Sequence, residues 1–445
     1  MAQLVARDVW DVDAAGSNPV TPTKASCFIN KKPLLFKGEF NMLRSEIPFP
    51  SEFDNSICSF LKRIWQEGWL NEYSNDHFLI MALEGRLSEF TWNEQFLNNN
   101  NNSYYSAITK DGAVDYEAFA VNFCMNLSTK LAGMVAMFGE NETKKFIMDQ
   151  LSAGKDDYKE DVFFQAFSEI EILTFFHRGF GWKEIKYEPP VNSNGANPEA
   201  YFIGDLYSKD ADAPVEVKVN IEVKTPKFPR LSSRQERILI PTVLLSNEGR
   251  QELPQICNDN NVEYIQPRVT KLVDFINSAT NKFDYPKENE YNLLYINWAY
   301  CDFPSNSFLE AWSLLTNQYN GLLTHPEIAT TLPFKHPVSA DAYKKITAVI
   351  VYTSSIDQLM FCDFRHVWQQ TCAGHKFRMF ILDDNLKNSS TQLELFCQLT
   401  GMNPDPPLTT PAMFACRSRN EFERIANKKF SDKVLNVIEK NVLTN

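Results

Sequence analysis

The chain has no Cys-x-x-Cys pair and no apolar run approaching the roughly 18 residues of a membrane-spanning helix. It does not open with the basic-then-apolar pattern of a secretory signal. Its nine cysteines are scattered and odd in number, so the expectation is reduced, mostly buried thiols in a cytoplasmic protein rather than a disulfide framework. No P-loop, dinucleotide-binding glycine pattern or Ser/His/Asp arrangement stands out. Positive charge is also in short supply: 44 Lys and Arg against 56 Asp and Glu leave a net charge of −12. That balance argues against tight, indiscriminate binding to duplex nucleic acid, because phosphate contacts need local cations.

What is present is a globular composition, 44% hydrophobic and 13% aromatic over 445 residues, enough for two or three domains with real cores. The most informative stretch is Val215 to Thr225, VEVKVNIEVKT. Val215, Val217, Val219, Ile221 and Val223 share one parity; Glu216, Lys218, Asn220, Glu222 and Lys224 share the other. Period-two alternation predicts a strand with one apolar and one charged face. On it Glu222 and Lys224 point the same way, able to share a metal ion and a phosphate. An isolated Glu-x-Lys is otherwise an ordinary solvated strand face.

Upstream lies Asn197-Pro198-Glu199-Ala200-Tyr201-Phe202-Ile203, then the polar turn-like run Ser208 to Ala213. Two apolar-rich runs joined by such a turn predict a hairpin. With the turn assumed to centre between Asp210 and Ala211, Glu199 falls opposite Glu222. Directly opposed side chains lie about 4.5–5.5 Å apart at Cβ, and two carboxylates that close need a proton or a cation between them. A hard divalent ion such as Mg²⁺ meets that need. The same register sets Asp205 opposite Glu216, making Glu216-Val217-Lys218 a rival set nearer the turn. The Glu199/Glu222 pair, at the end away from the turn, is favoured. A preceding segment, Asp161 to Arg178, reads as an apolar helix interrupted by Glu169 and Glu171 and ending near Gly179-Phe180-Gly181. A carboxylate on such a helix is costly without a partner, so either acid is a third candidate for the site unless it reaches solvent.

This order resembles the restriction-endonuclease-like, PD-(D/E)xK, nuclease superfamily: an acidic helix ending in glycine, a short strand Trp182 to Tyr187, then Pro-acid, then acid-x-Lys on a strand. The matched stretch runs from about Phe163 to Lys227, and the apolar strands Asn292 to Trp298 and Ile346 to Tyr352 fit the rest of such a sheet more loosely. Glu199 stands where the family usually has Asp. The resemblance implies an α/β fold with a mixed sheet flanked by helices, and metal-dependent hydrolysis of phosphodiesters using Mg²⁺ or Mn²⁺. It assigns Glu199 and Glu222 as metal ligands, with Glu169 (Glu171 as runner-up) as the helix acid that completes the metal site or holds an outer-shell water, and Lys224 as the lysine that orients water and offsets developing charge. Lys224, Lys227, Arg230, Arg234 and Arg237, with Lys183 and Lys186 flanking, are candidate phosphate contacts.

Residues 1–24 look unlike sequence selected to fold. Gly16-Ser17-Asn18-Pro19-Val20 matches one frame of a tRNA T-arm, as when a reading frame opens inside a tRNA gene used by an integrating element. The natural start is then later, at Met42 for instance. The domains expected are a tail over 1–41, a helical N-terminal domain over 42–155, and a nuclease core over 156–355 with an insertion at 301–340. A smaller α/β region follows over 356–445. In the N-terminal domain Ile57 to Trp69, His77 to Phe90, Tyr116 to Phe138 and Thr143 to Leu151 have helical spacing. In the insertion, Phe303, Phe308 and Trp312 are read mainly as packing residues. Cys362, His366, Cys372 and His375 cluster within a short span, but their spacing matches no common zinc module.

The expected function is a metal-dependent endonuclease, DNA favoured and RNA or tRNA second, acting as an antiphage effector carried on a mobile element and triggered, for example, by a phage protein. The alternative of a different class is a nuclease-like fold that binds nucleic acid or a partner without cutting. No membrane association is expected.

Overall fold

The period-two segment forms an interior strand of a six-stranded sheet. The structure, a computed structural model, describes residues 43–89, 115–177, 181–189, 196–207, 213–226, 237–239, 247–259, 263–265, 269–298, 307–318, 321–331, 337–352 and 377–407, with Asn436. Within these the chain runs through helices α1 (Ser59–Gln66), α2 (Phe78–Leu83), α3 (Tyr116–Phe138), α4 (Glu140–Lys145) and α5 (Glu160–His177), with a π-helical turn Phe146–Leu151 after α4. Strands β1 (Trp182–Tyr187), β2 (Ala200–Leu206) and β3 (Val215–Lys224) follow, then β4 (Arg237–Leu239), helix α6 (Asn247–Asp259) and β5 (Glu263–Ile265). Helix α7 (Val269–Lys282), β6 (Glu290–Asn297), α8 (Ser307–Thr316), β7 (Ala348–Tyr352), β8 (Arg378–Ile381) and α9 (Ser390–Thr400) complete the order, with short helical turns between.

The main sheet has the order β1-β2-β3-β6-β7-β8. The first three strands form an antiparallel meander; β6 and β7 then add in parallel to β3, and β8 returns antiparallel. The meander is dictated locally, by alternation and polar turns. The parallel additions need crossovers, which α7 and the α8 region provide. Strands β4 and β5 pair separately.

Helices cover both faces of the sheet. Val217, Val219, Ile221 and Val223, with Leu293, Tyr295 and Tyr352, share one core with the phenylalanines of α5 and the helices before it. Leu294, Ile296, Val349 and Val351 share a second core with Leu272, Val273 and Ile276 of α7 and Trp312 and Leu315 of α8. The protein is thus mixed α/β, a six-stranded mixed sheet flanked by helices. Two parallel-sheet strands buried on both faces explain why β6 and β7 read as near-continuous apolar runs.

The sequence-derived elements recur closely. α3 spans Tyr116–Phe138, capped by Asp115, whose carboxylate accepts from the Ala118 N–H at 3.0 Å. It stops at Gly139, whose φ of 84° suits a residue without Cβ. Within the segment expected from His77 to Phe90, the described residues form a short helix, Phe78–Leu83, and a 3-10 turn, Leu87–Glu89; Gly85, at φ 68°, lies between them. The helices before the sheet and β8 after it belong to the same core as α5 and β3, from Phe53 to Leu399. Trp312 is buried, as expected of a packing residue. Residues 1–41, Phe303, the Cys362/His366/Cys372/His375 cluster and the segment Glu421 to Val442, apart from Asn436, lie outside the described residues, and the side chain of Phe308 is not described. Among the described residues no helix is long and apolar enough to cross a membrane.

Candidate functional site

The β2–β3 register matches the one expected from a turn assumed to centre between Asp210 and Ala211. Ala200 opposes Ile221 and Leu206 opposes Val215. One step beyond the ladder, the Glu199 N–H donates to the Ile221 carbonyl at 2.9 Å, so Glu199 faces Glu222. Pro198 is buried and Glu199 leads directly into β2. Glu222 is wholly buried, at 0% side-chain exposure against 13% for Glu199 and 18% for Lys224.

The charged face of β3 is therefore not a solvated one at this end. Lys224 Nζ lies 2.5 Å from Glu222 Oε1. A second ammonium arrives from α7: Lys282 Nζ is 3.3 Å from Glu199 Oε1, 2.9 Å from Glu222 Oε1 and 3.0 Å from Glu222 Oε2. Two carboxylates and two lysines thus form a compact quartet of balanced charge. Burial, then the Glu222 charge, pushes the Glu199 carboxyl up to about 7, with Lys282 and Lys224 opposing. Burial pulls the Lys282 ammonium down, and the Glu199 and Glu222 charges more than offset it, leaving it raised.

The two helix acids part company. Glu169 is buried on the Glu199 side, where the Tyr187 hydroxyl donates to its Oε1 at 2.7 Å. Burial first, then the Glu199 charge, raises its carboxyl well above the usual range, and the Tyr187 hydrogen bond only partly opposes this. Glu171 is also buried, but its charge acts on Tyr352 of β7, whose hydroxyl is raised by burial and then by Glu171. Of the two, Glu169 neighbours the Glu199/Glu222 pair.

Glu188 supports this corner. It adopts φ 41°, a left-handed conformation costly for a residue with a Cβ. Its N–H donates to the Glu199 carbonyl at 2.9 Å, its carbonyl accepts from Asn197 Nδ2 at 3.0 Å, and its Oε1 accepts from Gln150 Nε2 at 3.0 Å. These bonds hold the turn and, through it, Tyr187 and Glu199.

The rival set also shares a lysine, but near the surface. Asp205 opposes Glu216, and Lys183 Nζ bridges them at 2.6 and 3.1 Å. Glu216 is 65% exposed where Glu222 is 0%. Lys218 turns instead to Glu290, 2.8 Å away. Burial, not motif, separates the two sets. Lys183 consequently sits at the turn end, away from Glu222, and Lys186 pairs with Glu184 at 3.1 Å on the surface. Lys227, Arg230 and Arg234 lie outside the described residues, as does the side chain of Arg237.

The donor set was tested against the divalent ion that the sequence resemblance implies. Glu199 and Glu222 fit: their carboxylates already converge on one positive group, the Lys282 ammonium. Glu169 is held by Tyr187. Among the described residues no three Asp, Glu, His or Cys side chains form a cluster able to hold a metal ion. Lys282 and Tyr187 were not identified from sequence. Neither belongs to a local motif, and Lys282 is 60 residues from Glu222. Comparison with protein-family models, curated proteins and solved structures gives no match.

Proposed function

We propose that this chain is a metal-dependent nuclease that hydrolyses phosphodiester bonds, with Glu199, Glu222 and Lys224 as its working residues. The observation that carries the reading is the convergence of two opposed carboxylates and Lys224 in a buried pocket of charge at the open end of the β2–β3 hairpin. A helix, three antiparallel strands and, after an intervening β4-α6-β5 segment, a helix and a parallel strand (α5-β1-β2-β3, then α7-β6) support a restriction-endonuclease-like core. The site also lies at the carboxyl end of β3, where open α/β sheets commonly bind ligands.

In this reading Glu199 and Glu222 hold Mg²⁺ or Mn²⁺, with Glu169 beside them. A divalent ion there supplies polarisation of the phosphate and acidification of water. Glu222, wholly buried, fixes the position of the charge. Lys224 binds the phosphate and offsets charge that grows in the transition state. Tyr187 orients Glu169. DNA is the first substrate proposed and RNA, including tRNA, the second. The tRNA-like opening at residues 1–24 supports carriage on a mobile element, and with it a triggered antiphage role.

One feature favours a second reading, a nuclease-like module that binds without cutting: the Lys282 ammonium already bridges the acid pair. Glu222→Ala and Lys224→Ala separate the two. Loss of cleavage in vitro and of effect in cells supports the nuclease; full retention of both by both variants excludes it.

A further inference from the structure

Lys282 is the residue of the quartet that no motif accounts for. It is the last residue of α7, and its side chain is 26% exposed while its Nζ contacts three carboxylate oxygens. Phe283, fully buried immediately after it, anchors the backbone. The ammonium can therefore swing toward solvent by rotation about its own four-carbon stem, with α7 left in place. Lys224 differs: it lies within β3, in register with Ile296 of β6, and its ammonium meets Glu222 alone of the acid pair.

Two carboxylates facing each other this closely need a proton or a cation between them. The position that satisfies both at once is the one Lys282 Nζ occupies, and a divalent ion held by Glu199 and Glu222 competes for it. Keeping both cations there costs like-charge repulsion, which burial strengthens.

We propose that Lys282 is the resident counter-ion of the acid pair, holding Glu199 and Glu222 together until a divalent cation displaces it. This rests on the nuclease reading above and adds regulation to it. The ammonium keeps the empty site assembled and sets a threshold on metal affinity, so the site loads only when the divalent ion outcompetes an internal charge.

The test is direct titration of the full-length, chelator-stripped protein with MnCl₂ by calorimetry. Lys282→Met should bind Mn²⁺ at least about tenfold more tightly than wild type, since it removes a competing like charge. Lys282→Arg, which keeps the charge, should not gain affinity, and Glu222→Gln should lose it. A second measurement uses the unaltered chain: amine acylation of Lys282, read by peptide mass spectrometry, should rise when Mn²⁺ is added. Unchanged or weaker Mn²⁺ binding by Lys282→Met overturns the role given to Lys282, as does labelling of Lys282 that ignores Mn²⁺. If wild type still binds Mn²⁺ and cuts nucleic acid, the nuclease reading survives that failure. If no form binds Mn²⁺, both fall.

Discussion

Glu199 and Glu222 face each other one step beyond the β2–β3 ladder and share a single ammonium, that of Lys282, at 3.3 Å from Glu199 and 2.9 Å from Glu222. Everything proposed for this protein depends on what that pair of carboxylates holds.

The first consequence concerns Glu222. Removing one member of a buried ion pair leaves the other charges uncompensated and typically costs about 3–5 kcal/mol. Glu222→Ala should therefore destabilise the fold by that order, while Glu222→Gln, nearly isosteric, should cost less. Both should lose cleavage by at least about a hundredfold, the scale of losing an electrostatic catalytic group. Denaturant melts paired with cleavage rates check this; a Glu222→Gln variant with wild-type cleavage would count against the assignment.

The two Glu-x-Lys sets give an internal comparison. Lys224 pairs with fully buried Glu222, whereas Lys218 pairs with Glu290 across the β3–β6 boundary. Lys224→Ala should abolish cleavage and also lower the melting temperature, because it removes one of the two ammoniums paired with buried Glu222. Lys218→Ala should leave cleavage intact, its partly exposed pair contributing about 1 kcal/mol or less. The reverse outcome would move the site to the turn end of the hairpin.

Much of this geometry was legible before any coordinates. Alternation in Val215 to Thr225 and the polar run before it are local, so strand and hairpin followed, and the opposition of Glu199 and Glu222 followed from an assumed turn centre. Two things were not local. The two Glu-x-Lys sets differ in burial: Glu222 is 0% exposed beside Lys282 at the end of α7, and Glu216 is 65% exposed toward the other end of β3. Lys282 ends an amphipathic helix with no motif of its own, and its place beside the acid pair appears only once the crossover brings the end of α7 to Glu199 and Glu222. Glu169 and Glu171 differ likewise by helix rotation: Glu169 meets the Tyr187 hydroxyl, while the Glu171 charge acts on Tyr352.

Tyr187 offers a further check. Its hydroxyl donates to Glu169 Oε1, a carboxyl whose burial and proximity to Glu199 raise it well above the usual range. Tyr187→Phe should cost about 1–3 kcal/mol by leaving a buried acceptor short of a donor. The folded state holds the Glu169 proton more tightly than the unfolded state does. This term therefore erodes stability as pH rises above the unfolded value near 4.5. Glu169→Gln should then be at least as stable as wild type at pH 8, in chemical melts without metal. A clear loss of stability there would indicate a charged Glu169.

His77 sets the acid limit of the fold. It is fully buried, with Nδ1 accepting from the Leu79 N–H at 3.1 Å and Nε2 donating to the Leu151 carbonyl at 2.9 Å. Burial pulls its ring down to about 3, the Leu151 contact opposing and Arg44 adding. A depressed value means the unfolded chain takes up a proton first. Stability present above about pH 6.5 is thus lost as pH falls toward 3, by about 2 kcal/mol between pH 7 and pH 5. His77→Asn, which retains a capping acceptor, should flatten that profile; an equally steep profile would assign the acid sensitivity elsewhere.

The most direct measurement is cleavage by the purified protein, supplied with Mg²⁺ or Mn²⁺, of plasmid DNA, single-stranded DNA, total RNA and tRNA in separate reactions, beside Glu222→Gln and Lys224→Ala. The account predicts cleavage of at least one substrate by wild type, abolished by chelator and by both substitutions. No cleavage of any substrate, or cleavage that survives both substitutions, would contradict it.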